Sequence, residues 1–147
     1  VEFKMSILKD LSSIFRIDSF EPASLEKDIK DLMSFSQIEI PEDYLNIIRE
    51  KTEVEINVGQ EKYIRIWGAI GCIEINEAYK IQENIPSSLA IADDEGGNAL
   101  LYLDGYNGFG LYLIAFNDLD SDELQFVSYS LSDFLLKEIG INIFKKM

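Results

Sequence analysis

Residues 85–116 read IPSSLAIADDEGGNALLYLDGYNGFGLYLIAF, and their pattern decides the fold. Three short apolar runs, 89–92, 99–103 and 109–116, are separated by two turns. The first turn, Asp93-Asp94-Glu95-Gly96-Gly97, joins acidic residues to a glycine pair, and the second, Asp104-Gly105-Tyr106-Asn107-Gly108, repeats that chemistry. Apolar runs joined by short Gly-bearing loops signal hairpins, because glycine reaches positive φ without a Cβ clash. A three-stranded antiparallel meander follows. Alternation puts Ala99, Leu101 and Leu103 on one face and Leu100 and Tyr102 on the other. Both faces are apolar, which places this meander in the middle of a sheet.

Upstream, Met5, Leu8, Leu11, Ile14 and Phe15 recur at helical spacing and predict a first helix over 3–15. Asp18-Ser19-Phe20-Glu21-Pro22 breaks that pattern, and Ser24 is then placed to cap a second helix over about 24–34. Pro41 with Glu42 and Asp43 starts a third helix to about Glu50, the acids lying near the positive end of its dipole. Alternation over 54–58, a turn at Gly59-Gln60-Glu61 and a run over 63–67 predict a hairpin. Residues 68–72 read as a bend and 73–79 as one or two helical turns. Downstream come an acidic loop over 117–123, a strand over 124–127, and a last helix capped by Ser130 or Ser132 and terminated by Gly140. No repeat, low-complexity tract or linker interrupts the chain. The expectation is one α+β domain over 1–147, a twisted, mainly antiparallel sheet packed by N-terminal helices and a C-terminal helix.

A chain of 147 residues, 47% of them hydrophobic, buries a core without help from a disulfide or a metal. Thirteen basic residues against 27 acidic ones give a net charge of −14. Such a surface repels phosphate backbones and anionic lipid, so nucleic acid and membrane are poor partners and a basic protein is a better one. Solubility alone accounts for the charge equally well. There is no histidine, which removes His-based acid/base chemistry, His-dependent nucleophiles and His-ligated metal sites. The single cysteine, Cys72, sits among apolar neighbours and reads as a buried thiol, and the single tryptophan, Trp67, reads as core ahead of partner contact. No apolar run reaches the ~20 residues of a membrane span. Charged residues from Glu2 onward argue against a signal peptide, and a reduced cytoplasmic compartment fits.

Three further constellations lack the pattern that their chemistry requires. Asp118, Asp120 and Asp122 match the first positions of a calcium loop, but the glycine required next is Glu123 and the bidentate glutamate position is Tyr129. Asp93, Asp94 and Glu95 are adjacent on a turn and rarely converge on one substrate in the manner of paired catalytic carboxylates. Gly105, Gly108 and Gly110 miss the spacing of a nucleotide-binding loop. No catalytic residue, metal site or cofactor is assigned.

Pieces in a particular order carry a family resemblance: Ile40-Pro41-Glu42-Asp43-Tyr44, Ile64-Arg65-Ile66-Trp67, Asn76-Glu77-Ala78-Tyr79, Ile85-Pro86 with 89–98, and 128–135. Over about residues 20–136 the chain resembles the SUKH superfamily in its Smi/Knr branch. It departs from the common pattern at Lys51-Thr52-Glu53, where many members carry Asn-Gly-Gly. The resemblance implies a non-catalytic protein-binding domain. In bacteria it implies an immunity protein that binds and neutralises a cognate polymorphic toxin, often a nuclease. The alternative is a regulatory interaction module of the cell-wall assembly regulator type, without a toxin partner. Candidate partner-binding residues are Asp93, Asp94, Glu95, Asp118, Asp120, Asp122 and Glu123 for electrostatic steering, with Tyr106 and Phe109 as aromatic anchors.

Overall fold

Seven strands pair in chain order in the computed structural model, which describes residues 6–146. They are β1 (Phe15–Pro22), β2 (Lys51–Val58), β3 (Lys62–Ile66), β4 (Ser88–Asp93), β5 (Asn98–Gly105), β6 (Gly108–Ala115) and β7 (Gln125–Ser128). Every pairing is antiparallel, and the meander read from residues 85–116 is β4–β5–β6, inside the sheet. β5 is buried from Asn98 to Leu103, as two apolar faces require. Among the described residues six α-helices accompany the sheet: α1 (Glu26–Phe35), α2 (Glu42–Ile48), α3 (Ala69–Ala78), α4 (Ile81–Asn84), α5 (Leu131–Lys137) and α6 (Ile141–Lys146). The α+β class and the antiparallel sheet are as expected.

Tyr102 and Ala90 show how the two faces are covered. Tyr102 faces α2 and α5: its hydroxyl donates to Asp43, at 3.0 Å from each carboxylate oxygen, and accepts the Leu131 N–H at 2.6 Å. Asp43 Oδ2 also accepts the Ser132 N–H at 3.0 Å, so one carboxylate joins α2, β5 and the start of α5. Burial and the charge of Asp43 push the Tyr102 phenol far up, which keeps it a donor. Tyr44 of α2 is fully buried and donates to the Trp67 carbonyl at 2.5 Å.

Ala90 is held by α3. β3 pairs with β4 only through Arg65 and Ile66, and the β4–β5 register slips between Ala90 and Ala92. Asn76 of α3, fully buried, completes the edge left open. Its amide donates to the Ala90 carbonyl at 2.8 Å, and its Oδ1 accepts the Ala90 N–H at 3.0 Å. A side-chain amide thus stands in for a missing strand residue, as a buried backbone pair demands.

Several sequence expectations are corrected. Residues 3–5 of the helix expected over 3–15 lie outside the described residues, and among the described ones it does not form: Ile7–Lys9 make a single 3-10 turn, and Phe15 opens β1. β1 is an edge strand exposed along most of its length, so it carries no alternation. The bend over 68–72 is the first half of α3, apolar around most of its start and therefore without a one-sided stripe. Ser24 does not cap α1; its hydroxyl accepts the Ala69 N–H at 3.0 Å, at the start of α3. Ser130 does cap α5, accepting from the Asp133 N–H, but α5 ends at Glu138 in the left-handed conformation. Gly140, φ +88°, leads instead into α6, and a Cβ there would stand 2.1 Å from the Val127 carbonyl oxygen.

Asp43→Ala leaves the Tyr102 hydroxyl and the Ser132 N–H without their acceptor and lowers unfolding free energy by about 2–4 kcal/mol. Urea denaturation reads this loss, with Ser132→Ala as a control that stays under about 1 kcal/mol.

Candidate protein-binding surfaces

The predicted residues gather at opposite ends of the sheet. The β4–β5 turn and the 116–124 connection meet at one end, where the Phe116 N–H donates to the Gly97 carbonyl at 2.9 Å. The β5–β6 hairpin tip, with Tyr106, lies at the other, about 24 Å along β6.

The acidic end holds all seven steering candidates, in two different states. Asp94 is buried, and its carboxylate accepts the Gly96 N–H at 2.8 Å, the Asn98 N–H at 2.9 Å and the Asn98 side-chain amide at 2.7 Å. Asp93 accepts the Glu95 N–H through Oδ1 and the Trp67 indole N–H through Oδ2, each at 2.7 Å. That bond gives the buried Trp67 its polar partner, in line with the core assignment. Glu95 meets Arg65 at 3.1 Å, and the same guanidinium nitrogen reaches Glu55 at 3.0 Å. Burial and then Glu55 raise the Glu95 carboxyl above its usual range. These three acids hold the turn together. Asp118, Asp120, Asp122 and Glu123 are exposed on the second loop, where Asp120 Oδ1 accepts the Asp122 N–H at 2.9 Å. Among the described residues, no three acidic or cysteine side chains converge to hold a metal ion.

The aromatic end is a chain of rings. Tyr106, 73% exposed, lies edge-on to Tyr112 at 5.6 Å, Tyr112 meets Phe126 at 5.3 Å, and Phe126 meets Tyr129 at 4.9 Å. Tyr129 is itself 60% exposed. The Tyr106 hydroxyl accepts the Phe126 N–H at 2.9 Å, on the β7 edge, which fixes the ring on the surface. Phe109 belongs to the other face: it stacks on Tyr102 at 5.6 Å and borders a hollow of about 450 Å³ with Ile40, Pro41, Glu39 and Glu42. The sheet therefore separates the two predicted anchors. Tyr129 was missed because a lone tyrosine after a short strand has no pattern; only pairing of β7 with β6 brings it beside Phe126 and Asn107.

Cys72 lies in neither surface. It is fully buried, and burial pushes its thiol up to about 12. The reactive thiolate is correspondingly scarce at pH 8. A thiol reagent added at that pH therefore labels Cys72 only as fast as the protein unfolds, and rapid labelling of native protein would contradict this environment. The two kinds of acid are also separable by mutation. Asp94→Ala destabilises by about 2 kcal/mol in chemical denaturation because it leaves the buried Asn98 N–H unpaired. Glu123→Ala stays within about 0.5 kcal/mol of the parent.

Among the described residues, no helix is long and apolar enough to cross a membrane. No curated protein matches the chain. The model of the SMI1/KNR4 family (SUKH-1) matches residues 23–137, a span that includes Asp43, Trp67, Asn76, the acidic turn and α5. With most of its length inside that match, the chain belongs to the SMI1/KNR4 family (SUKH-1), a family of protein-interaction domains.

Proposed function

We propose that this domain is a cytoplasmic immunity protein of bacterial type that binds and neutralises a cognate toxin, and that the toxin domain is basic, as a nuclease must be to hold phosphates. The observation that carries the reading is the exposed acidic loop of Asp118, Asp120, Asp122 and Glu123 on a chain of net charge −14 within a protein-interaction family. Charge of that sign raises the rate of encounter with a basic face. Glu95 adds to the field from the neighbouring turn, and Asp93 and Asp94 add charge while holding that turn. Affinity needs desolvated anchors as well, and Tyr106 and Tyr129 supply exposed aromatic area on one face, with Phe109 on the other. Neutralisation then follows from occupancy alone, by covering the toxin's substrate face.

Co-expression of the tagged protein with adjacent reading frames, followed by capture, tests the reading. A basic toxin domain retained on the protein and released by salt is expected. Capture of regulatory or envelope proteins, with no toxin even when one is expressed, would overturn it in favour of a regulatory module. On the captured pair, reversing the four loop acids to lysine lowers the association rate about tenfold at low salt and flattens its salt dependence. Tyr106→Ala with Tyr129→Ala acts on dissociation, which stopped-flow and surface binding separate from association.

A further inference from the structure

A cleft of about 560 Å³ lies between the start of β2, the 22–25 connection, α1 and the first turns of α3, away from both surfaces described above. Its ionisable lining residues are Asp28, Glu53 and Glu74, and no lysine or arginine lines it. Lys27 of α1 reaches Asp28 only at 4.0 Å and extends into solvent. A second hollow of about 260 Å³ shares Asp28, Ile70 and Glu74 and adds Asp31, so the acidic lining continues between α1 and α3. The lips are apolar: Leu25 is 60% and Ile70 56% exposed.

Glu53 sits in this cleft by an unusual backbone. The β1–β2 register slips between Ser19 and Glu21, where Ser19 pairs with Glu55 and Glu21 with Thr52, so residues 53 and 54 bulge from β2. Glu53 has φ +45°, a left-handed conformation that costs a side-chain-bearing residue about 1–2 kcal/mol. Bulges re-aim side chains, and strain of this kind collects at functional positions. The re-aimed carboxylate lies across the start of α3, accepting the Gly68 N–H on Oε2 at 2.8 Å. Gly71 leaves room for it, since a Cβ there would stand 2.7 Å from Oε2. Oε1 takes no hydrogen bond among the described residues. Burial raises the Glu53 carboxyl above its usual range, and Asp93 and Glu74 add to that against the Gly68 N–H and Arg65. The free protein thus holds this charge at a disadvantage that an incoming cation would relieve.

We propose that the cleft receives a lysine side chain of the protein partner, its ammonium on Glu53 Oε1 and its methylene stem between Leu25 and Ile70. Charge complementarity selects a base. At Glu53 a bidentate arginine fork would have to share Oε2 with the Gly68 N–H, whereas an ammonium is a point charge whose three donors suit several separate carboxylates. The proposal rests on the protein-binding reading and names the chemistry one of its contacts would use.

Nitrogen-15 correlation spectra of the full chain, titrated with the capped peptide acetyl-Ala-Lys-Ala-amide, test it without the partner. Saturable shifts are expected at the amides of Glu53, Gly68, Ala69 and Gly71. They should be absent with the Nε-acetyl-lysine peptide and on the order of tenfold weaker in Glu53→Gln, which keeps an acceptor for the Gly68 N–H. That variant should melt at or above the parent at pH 7. The folded-state carboxyl titrates above its unfolded value, so ionised Glu53 lowers stability as pH rises through that window, and glutamine removes the loss. Absence of saturation, equal binding of the acetylated peptide, tighter binding of the matching peptide acetyl-Ala-Arg-Ala-amide, or unchanged binding by Glu53→Gln would each overturn the assignment. A toxin complex that still forms while the lysine peptide fails would overturn the cleft assignment alone and leave the protein-binding reading standing.

Discussion

The short third strand is the constraint around which the rest of the structure is arranged. β3 stops at Ile66, and the chain turns through Gly68 into α3, so the first half of β4 has no strand beside it on that side. An unpaired N–H and C=O inside a core cost several kcal/mol together. Asn76 removes that penalty by presenting one donor and one acceptor to Ala90, and Gln82 supports it by donating to Asn76 Oδ1 at 2.9 Å and to the Ser88 carbonyl at 3.0 Å. α3 is therefore part of the sheet's hydrogen bonding as well as a packing layer. Its position in turn creates the acidic cleft at its N-terminus, because the helix must begin where β3 ended.

The same economy governs residues that carry the family resemblance. Asp43, Tyr44, Trp67, Asp93 and Asp94 come from different parts of the chain, and each satisfies buried or half-buried polar groups: Tyr102 and Ser132 by Asp43, the Trp67 carbonyl by Tyr44, the Trp67 indole by Asp93, and the turn amides by Asp94. A motif built this way fixes the fold and leaves little of itself exposed for recognition. What varies without cost to the frame is the exposed remainder: the loop acids at one end, the ring chain at the other, and the lips of the cleft. That division suits a protein-interaction scaffold, since a change at Glu123 or Tyr106 does not disturb Asp43.

Residues differ in how legible they were before the structure. The β4–β5–β6 meander was readable because two-residue alternation and glycine turns are local properties, and α2 was readable from Pro41 and its acids. β1 was not, because an edge strand has no buried face to write a pattern, and the start of α3 was not, because a helix packed on several sides lacks a stripe. At the acidic turn the residue types were legible but their states were not. Asp93, Asp94 and Glu95 read alike in sequence, yet two carry turn amides and one an arginine, an outcome set by Trp67 and Arg65 more than 25 residues away. Glu53 is the sharpest case. Its positive φ and the bulge that sets it leave no mark on the alternation of β2, and only the pairing with β1 reveals them.

A net charge of −14 strains any compact chain through self-repulsion, and its distribution decides whether that strain is useful. Here the charge is uneven in kind. Acids engaged in the fold, such as Asp43 and Asp94, are locked to donors and contribute only a background field. The 118–123 acids are exposed, screened by salt and suited to acting at a distance on the rate of encounter. Glu53 is half-buried between apolar lips, where screening is weak, so a cation paired with it would act on the lifetime of a complex. Under the proposed contacts one electrostatic sign would serve two separable ends, because depth in the molecule, and not charge alone, sets which rate constant a carboxylate controls.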